Sequence, residues 1–276
     1  MRHEQAFRDA ERVQARGELG VTVKAGRTRL ERLYQEGAAK IRMPRTAGDP
    51  LEAVLINTAG GLTGGDRLDW TIDVGEHASA AVTTQTCEKV YRASFGAVEV
   101  GCRFSVAACG RLAWLPQETI VFDNSAFRRA IEVDLAPGAD ALIVEATVFG
   151  RRAMGEKVRQ AQFKDRWRVR RNGRLVHAED FAVGPEVTEQ LEAAAALDGA
   201  AAFATALLFA EDAESRLDQA RAIVGGAGGV SHWQVGGSGK LLARIVAEDS
   251  YTLRRRLIPL VELLNGRAGL PKIWTL

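Results

Sequence analysis

The sequence is poor in the residues that most often carry redox, metal or nucleophilic chemistry: three cysteines and four histidines in 276 residues. Cys87, Cys102 and Cys109 form no even set, no Cys-x-x-Cys pair and no zinc-site spacing, which argues against a disulfide framework or a zinc module. This usage suits a reducing compartment, so a cytoplasmic location is expected. No stretch of eighteen residues is free of charges or clustered polar groups, and the opening Met1-Arg-His-Glu-Gln-Ala-Phe-Arg-Asp-Ala10 alternates charges with few apolar residues. A protein neither exported nor membrane-spanning is expected. Excess charge of one sign is missing too: 37 Lys and Arg stand against 35 Asp and Glu, a net of +2. No global field selects nucleic acid or an anionic membrane.

Nucleotide and hydrolase signatures are also wanting. Gly236-Gly-Ser-Gly-Lys240 lacks the P-loop layout, because Gln234 stands where the first glycine belongs and Leu241 where Ser or Thr must follow the lysine. The paired glycines of Asn57-Thr-Ala-Gly-Gly-Leu-Thr-Gly-Gly-Asp66 lead into a strand pattern, not a helix. They are therefore expected to make a tight connection at positive φ, not a phosphate cradle. His3, His77, His177 and His232 accompany no Gly-x-Ser-x-Gly elbow and no Cys-His signature. No resident cofactor and no catalytic nucleophile are expected.

What the chain does have is 46% hydrophobic and 26% charged residues, enough for a sizeable core. After a polar, Arg-rich leader over residues 1–18, short alternating runs predict a single β-rich domain over residues 19–276. Strands are expected at 19–24, 28–34, 51–57, 67–74, 79–86, 97–107, 120–123, 127–135, 141–149, 162–170, 175–181, 230–235 and 241–246. Within 67–74, Leu68, Trp70, Ile72 and Val74 share one face while Arg67, Asp69, Thr71 and Asp73 take the other. Asn172-Gly173 marks a hairpin. Helices are expected at 213–223 and 252–265, the second ended by Gly266. The Ala-rich stretch 192–206 suits a helix, whereas 203–209 suits a buried strand.

Three acids fall where the alternation is apolar. Glu145 shares a face with Ile143, Thr147 and Phe149; Glu179 with Leu175, His177 and Phe181; Asp66 heads the face of Leu68 and Trp70. A buried carboxylate needs a partner, so each implies either an arginine or an ion path through a polar interior. A carboxylate pair of this kind would also serve a β-rich hydrolase, and acids that are only salt-bridged would suit a pure protein-interaction module.

Five blocks in order, Asn57 to Asp66, Thr83-Thr-Gln-Thr-Cys-Glu-Lys-Val-Tyr91, Leu115-Pro-Gln-Glu118 with Phe122-Asp123, Phe149-Gly-Arg-Arg-Ala-Met-Gly-Glu156 and Leu270-Pro-Lys-Ile-Trp274, resemble the urease accessory protein family UreD, also called UreH. The resemblance runs from about Leu19 to the C-terminus. It implies a mainly β fold, an open irregular helical stack of strands with two α-helices near the C-terminus. It also implies a non-catalytic scaffold that binds apo-urease and the helical protein UreF, reaches the GTPase UreG through UreF, and passes nickel transiently through an internal tunnel. Many relatives carry His-Pro-Pro where this chain has Asn57-Thr58-Ala59, so a nickel contact in that block falls to Asp66, with Glu145 and Glu179 further along the path.

Overall fold

The computed structural model describes residues 12–45, 49–151, 155–194 and 196–275. Residues 1–11 of the expected leader and residues 152–154 of the fourth block lie outside the described residues. The strands are β1 (Gln14–Lys24), β2 (Arg27–Glu36), β3 (Ala39–Arg42), β4 (Leu51–Asn57), β5 (Arg67–Val74), β6 (Ser79–Thr84), β7 (Glu88–Val90), β8 (Val98–Val106) and β9 (Arg111–Leu115). They continue as β10 (Thr119–Val121), β11 (Ser125–Leu135), β12 (Asp140–Phe149), β13 (Ala161–Arg171), β14 (Arg174–Val183), β15 (Ala202–Phe209), β16 (Gly228–Val235) and β17 (Ser238–Ala247). The first strand starts at Gln14, inside the segment expected as leader.

From β4 to β13 the chain winds between two sheets. β5, β8, β11 and β13 stack in parallel in the first sheet, and β4, β6, β9 and β12 stack in parallel in the second. Each turn of the winding lays one strand on the first sheet and one long strand on the second, where the short β7 and β10 are added beside β12, which is the expected open helical stack. Antiparallel pairs close the ends: β1 with β2 and β13 with β14 in the first sheet, β3 with β4 and the series β12, β15, β17, β16 in the second.

The helices are α1 (Val187–Glu192), α2 (Leu217–Val224) and α3 (Ser250–Asn265). Asp249 caps α3 by accepting from the Thr252 N–H at 2.8 Å, and Gly266, at φ 60°, ends it. Leu253, Leu257, Leu260, Val261 and Leu264 line the buried side of α3 and pack on the outer face of the second sheet together with Leu208, Leu241 and Ile245. The second sheet is thus covered on its outer face over β12, β15 and β17, while the strands of the first alternate buried and open residues. The main core lies between the sheets, where Leu19, Ile72, Phe104, Phe127, Phe163 and Trp167 meet Leu55, Leu112, Ile143 and Phe209. Each such side chain contributes roughly 1.5–3 kcal/mol by leaving water.

Candidate functional site

Parallel strands point their carboxyl ends the same way, so the segments that leave β4, β6, β9 and β12 gather on one rim. Those segments are the blocks singled out in the sequence. Asn57 donates its amide to both carboxylate oxygens of Glu88 at 3.2 Å. The rings of Tyr91 and Phe122 lie 5.1 Å apart, and the Arg151 guanidinium sits 4.5 Å from the Phe122 ring. Trp274 donates to Thr83 Oγ1 at 3.1 Å and to the Leu115 carbonyl at 3.0 Å. Arg254 of α3 donates to Gln117 Oε1 at 2.8 Å and Glu118 Oε1 at 3.0 Å.

The glycines of the first block shape its turn. Gly60, Gly61 and Gly65 have φ of 78°, 153° and 91°, and a Cβ on Gly64 would stand 2.1 Å from the Phe95 carbonyl oxygen. Asp66, buried at the end of this block, spends its carboxylate on backbone: Oδ1 accepts from the Val13 N–H at 2.9 Å and Oδ2 from the Thr63 N–H at 2.7 Å. It holds the loop to the first strand.

A polar layer crosses the core between the sheets. Arg129, on the face of Phe127 and Ile131, pairs with both Glu145 and Asp165. Trp114 donates to Glu145 at 2.8 Å and Trp167 to Asp165 at 3.0 Å. In register, Glu145 neighbours Thr205, and Thr205 neighbours Arg244. Arg244 reaches Glu179 Oε2 at 2.9 Å, with His177 Nε2 3.6 Å from the same oxygen. Glu145 and Glu179 therefore both have arginine partners, Arg129 buried in the core and Arg244 about half exposed. Burial pushes the Glu145 carboxyl up, and the Arg129 guanidinium pulls it back. Burial raises the carboxyl of Glu179 less than His177 and Arg244 lower it, so it lies below the usual range.

Two separate cavities lie between the layer and the rim. One of about 140 Å³ is lined by Asn57, Gly60, Cys87 and Glu88 among others. An interior one of about 50 Å³ is lined by Gln117, Thr119, Arg129 and Glu145. Burial pushes Glu88 up to about 7 against the hydrogen bond from Asn57, and burial together with Glu118 pushes the Cys87 thiol up to about 12. Cys87 is thus a thiol at neutral pH, poorly suited to trapping a soft metal. Among the described residues, no three His, Cys, Asp or Glu side chains gather to hold a metal ion.

Arg129, Asp165 and Glu88 are absent from the acids and partners picked out in the sequence. Arg129 and Asp165 were within reach of the same argument, since each interrupts an apolar face of its strand. Glu88 was not, because β7 spans only Glu88–Val90 and shows no alternation.

The whole described stack, from its first strand to Trp274, falls within a match to the family model for the UreD urease accessory protein, which covers residues 13–275. The chain belongs to the UreD family. It is 60% identical to the urease accessory protein UreD of Mesorhizobium japonicum, over 97% of this chain and 95% of that protein. Against UreD 1 of Brucella anthropi identity is 56%, over 96% of this chain and 95% of the relative. Against UreD 1 of Brucella melitensis it is 57% with the same coverage. The UreD blocks are thus the rim of a two-sheet stack. No helix among the described residues is long and apolar enough to cross a membrane.

Proposed function

We propose that this UreD-family chain acts in urease maturation as a cytoplasmic, non-enzymatic scaffold folded as one domain, which takes in β1 from Gln14 and not only the residues from 19 onward. It bridges apo-urease and UreF, reaches UreG through UreF, and helps pass nickel to the urease active site. The family match over residues 13–275 carries the proposal, and the gathering of the family's blocks on one rim beside an acid-bearing interior supports it. Nickel is cargo here, held by Glu145 and Glu179 only in passing. Carboxylate, carbonyl and water oxygens release the ion more readily than several imidazoles or thiolates would, and at both acids nickel has to displace an arginine. Asp66 fits this path less well, since two backbone N–H groups occupy its oxygens.

A hydrolase using a carboxylate pair finds less support. Glu145 and Asp165 flank Arg129, and each accepts from that guanidinium and from a tryptophan N–H, which leaves neither free for proton transfer. The deciding experiment is complementation of a urease-positive strain that lacks its own UreD. Urease activity should return, and UreF and apo-urease should co-purify with the chain. Activity that stays at the deletion level while the chain accumulates normally refutes the proposal.

A further inference from the structure

The first sheet ends at β2, which among the described residues pairs only with β1. Its sequence, Arg27-Thr-Arg-Leu-Glu-Arg-Leu-Tyr-Gln-Glu36, is exposed at every position but Thr28 and Gln35. Leu30, Leu33 and Tyr34 count among the large apolar side chains that face water.

A bulge sets how these side chains point. The register of β1 with β2 shifts between Gly20 and Val21, so that Leu30 lies opposite Val21 and Leu33 opposite Leu19. Val21 and Leu19 both face the core, and Leu30 and Leu33 therefore share the inner face although they are three positions apart. Thr28 and Gln35 are on that face too, where they accept from the backbone of Ser79 and Ile41. Arg27, Arg29, Arg32, Tyr34 and Glu36 take the outer face. The backbone follows the same plan. From the two-residue turn at Ala25-Gly26, alternation directs the backbone groups of Thr28 and Leu30 away from β1, and the Thr28 N–H is spent on Asp49 Oδ1 at 3.0 Å. Beyond the bulge the outward positions are Leu33 and Gln35.

The strand complements itself in the reverse direction. A second β2 laid antiparallel, with its two-fold axis between Glu31 and Arg32, sets Arg27 opposite Glu36, Thr28 opposite Gln35, Arg29 opposite Tyr34, Leu30 opposite Leu33 and Glu31 opposite Arg32. These pairs join opposite charges, two polar groups, a cation with a ring, and two leucines. Apart from the bulged Glu31, both members of every pair lie on the same face. A slip of one residue sets Glu31 against Glu31 or Arg32 against Arg32 and puts a leucine opposite a charge, so this register is favoured over its neighbours. Leu30 and Leu33, with backbone groups pointing outward, exchange the ladder hydrogen bonds. Asp49 occupies the edge beside Thr28, so the ladder runs from Arg29 to Tyr34 and the flanking pairs meet through side chains alone. Arg32 also serves Glu18 and Asp73, and exposed ion pairs add little. The four inward leucines and the ladder carry the affinity.

We infer that β2 is a self-association edge, through which two copies of this chain join their first sheets, antiparallel, in a two-fold dimer. Such an interface is isologous and closes at two copies. It does not depend on the maturation role proposed above.

Sedimentation equilibrium of the full-length chain should show monomer and dimer in exchange. Leu33→Glu sets a charge against Leu30 of the second copy and should weaken the dimer at least about tenfold, with thermal unfolding as the check on its fold. Register is tested by cross-linking. Arg29→Cys and Tyr34→Cys, each made with Cys109→Ser because Cys109 is exposed, put thiols on the two sides of a non-hydrogen-bonded pair, where Cα atoms stand about 4.5 Å apart. Oxidising the mixture should give a disulfide-linked dimer. Either variant alone should not, since its two thiols lie roughly 17 Å apart along the ladder. A wild-type chain still monomeric at about 100 μM, far above a micromolar dissociation constant, overturns the inference. So does a folded Leu33→Glu chain that dimerises like the wild type, or cross-linking no greater in the mixture than in the single variants. If the wild type is monomeric and Leu33→Glu sheds UreF, the edge serves that partner and not a second copy.

Discussion

Arg129 sits in the core with two acids competing for it, and the balance of charge there sets what each substitution costs. Arg129→Met fits the volume but leaves Glu145 and Asp165 buried without a counter-charge. Breaking such a buried set by removing one partner costs about 3–5 kcal/mol, and the loss should appear as a lower denaturation midpoint in urea. Glu145→Gln is milder, since Trp114 can still donate to the amide oxygen and Arg129 keeps Asp165. With Glu145 on the nickel path, this variant should co-purify UreF and apo-urease normally yet give less nickel per urease active site. Equal loss of binding and loading would mean that Glu145 serves only to pair with Arg129.

Among the elements, the C-terminal segment is tied to the carboxyl ends of β6 and β9. Trp274 is buried, donates to Thr83 Oγ1 and the Leu115 carbonyl, and lies under the Arg254 guanidinium. Trp274→Ala should cost about 3–5 kcal/mol and expose the carboxyl ends of β6 and β9 to faster hydrogen exchange, while protection in β1 and β5 stays unchanged. Uniform deprotection would show that the segment is not a local clasp. The same distinction between sheets explains what the sequence made legible. Strands of the first sheet have one open face, so β5, with Leu68, Trp70, Ile72 and Val74 inward, alternates cleanly and its bounds were evident. In the second sheet β6, β9, β12 and β15 are covered on both faces and lose the alternation. Ala202–Phe209 therefore looked as much like a helix as a strand, and Arg111–Leu115, buried from Leu112 onward, gave no periodic signal. α1 was missed because its N-cap, Glu186, makes no side-chain cap. Glu145 and Glu179 were visible as acids on apolar faces, but their arginines come from other strands, and no pattern along one strand reports a partner across the core.

At the scale of the molecule, the strand order among the described residues ends at β2 and β14 in the first sheet and at β16 and β3 in the second. Leu30, Leu33 and Tyr34 are exposed on β2, Leu175 on β14 and Trp233 on β16. Open edges with apolar side chains invite association, so the chain expressed alone should be poorly soluble, and co-expression with UreF should raise the soluble fraction. A chain equally soluble and monomeric in both cases, with no UreF retained on it, would contradict the scaffold role. The clasp at Trp274 also has a consequence in time. It joins residues 191 positions apart, and at ribosomal speeds of about 5–20 residues per second the second partner emerges roughly 10–40 s after the first. α3, the cover of the second sheet, is made near the end of the same interval. For those seconds the nascent coils present an apolar face to the cell, and any helper that shields it has to act before translation finishes.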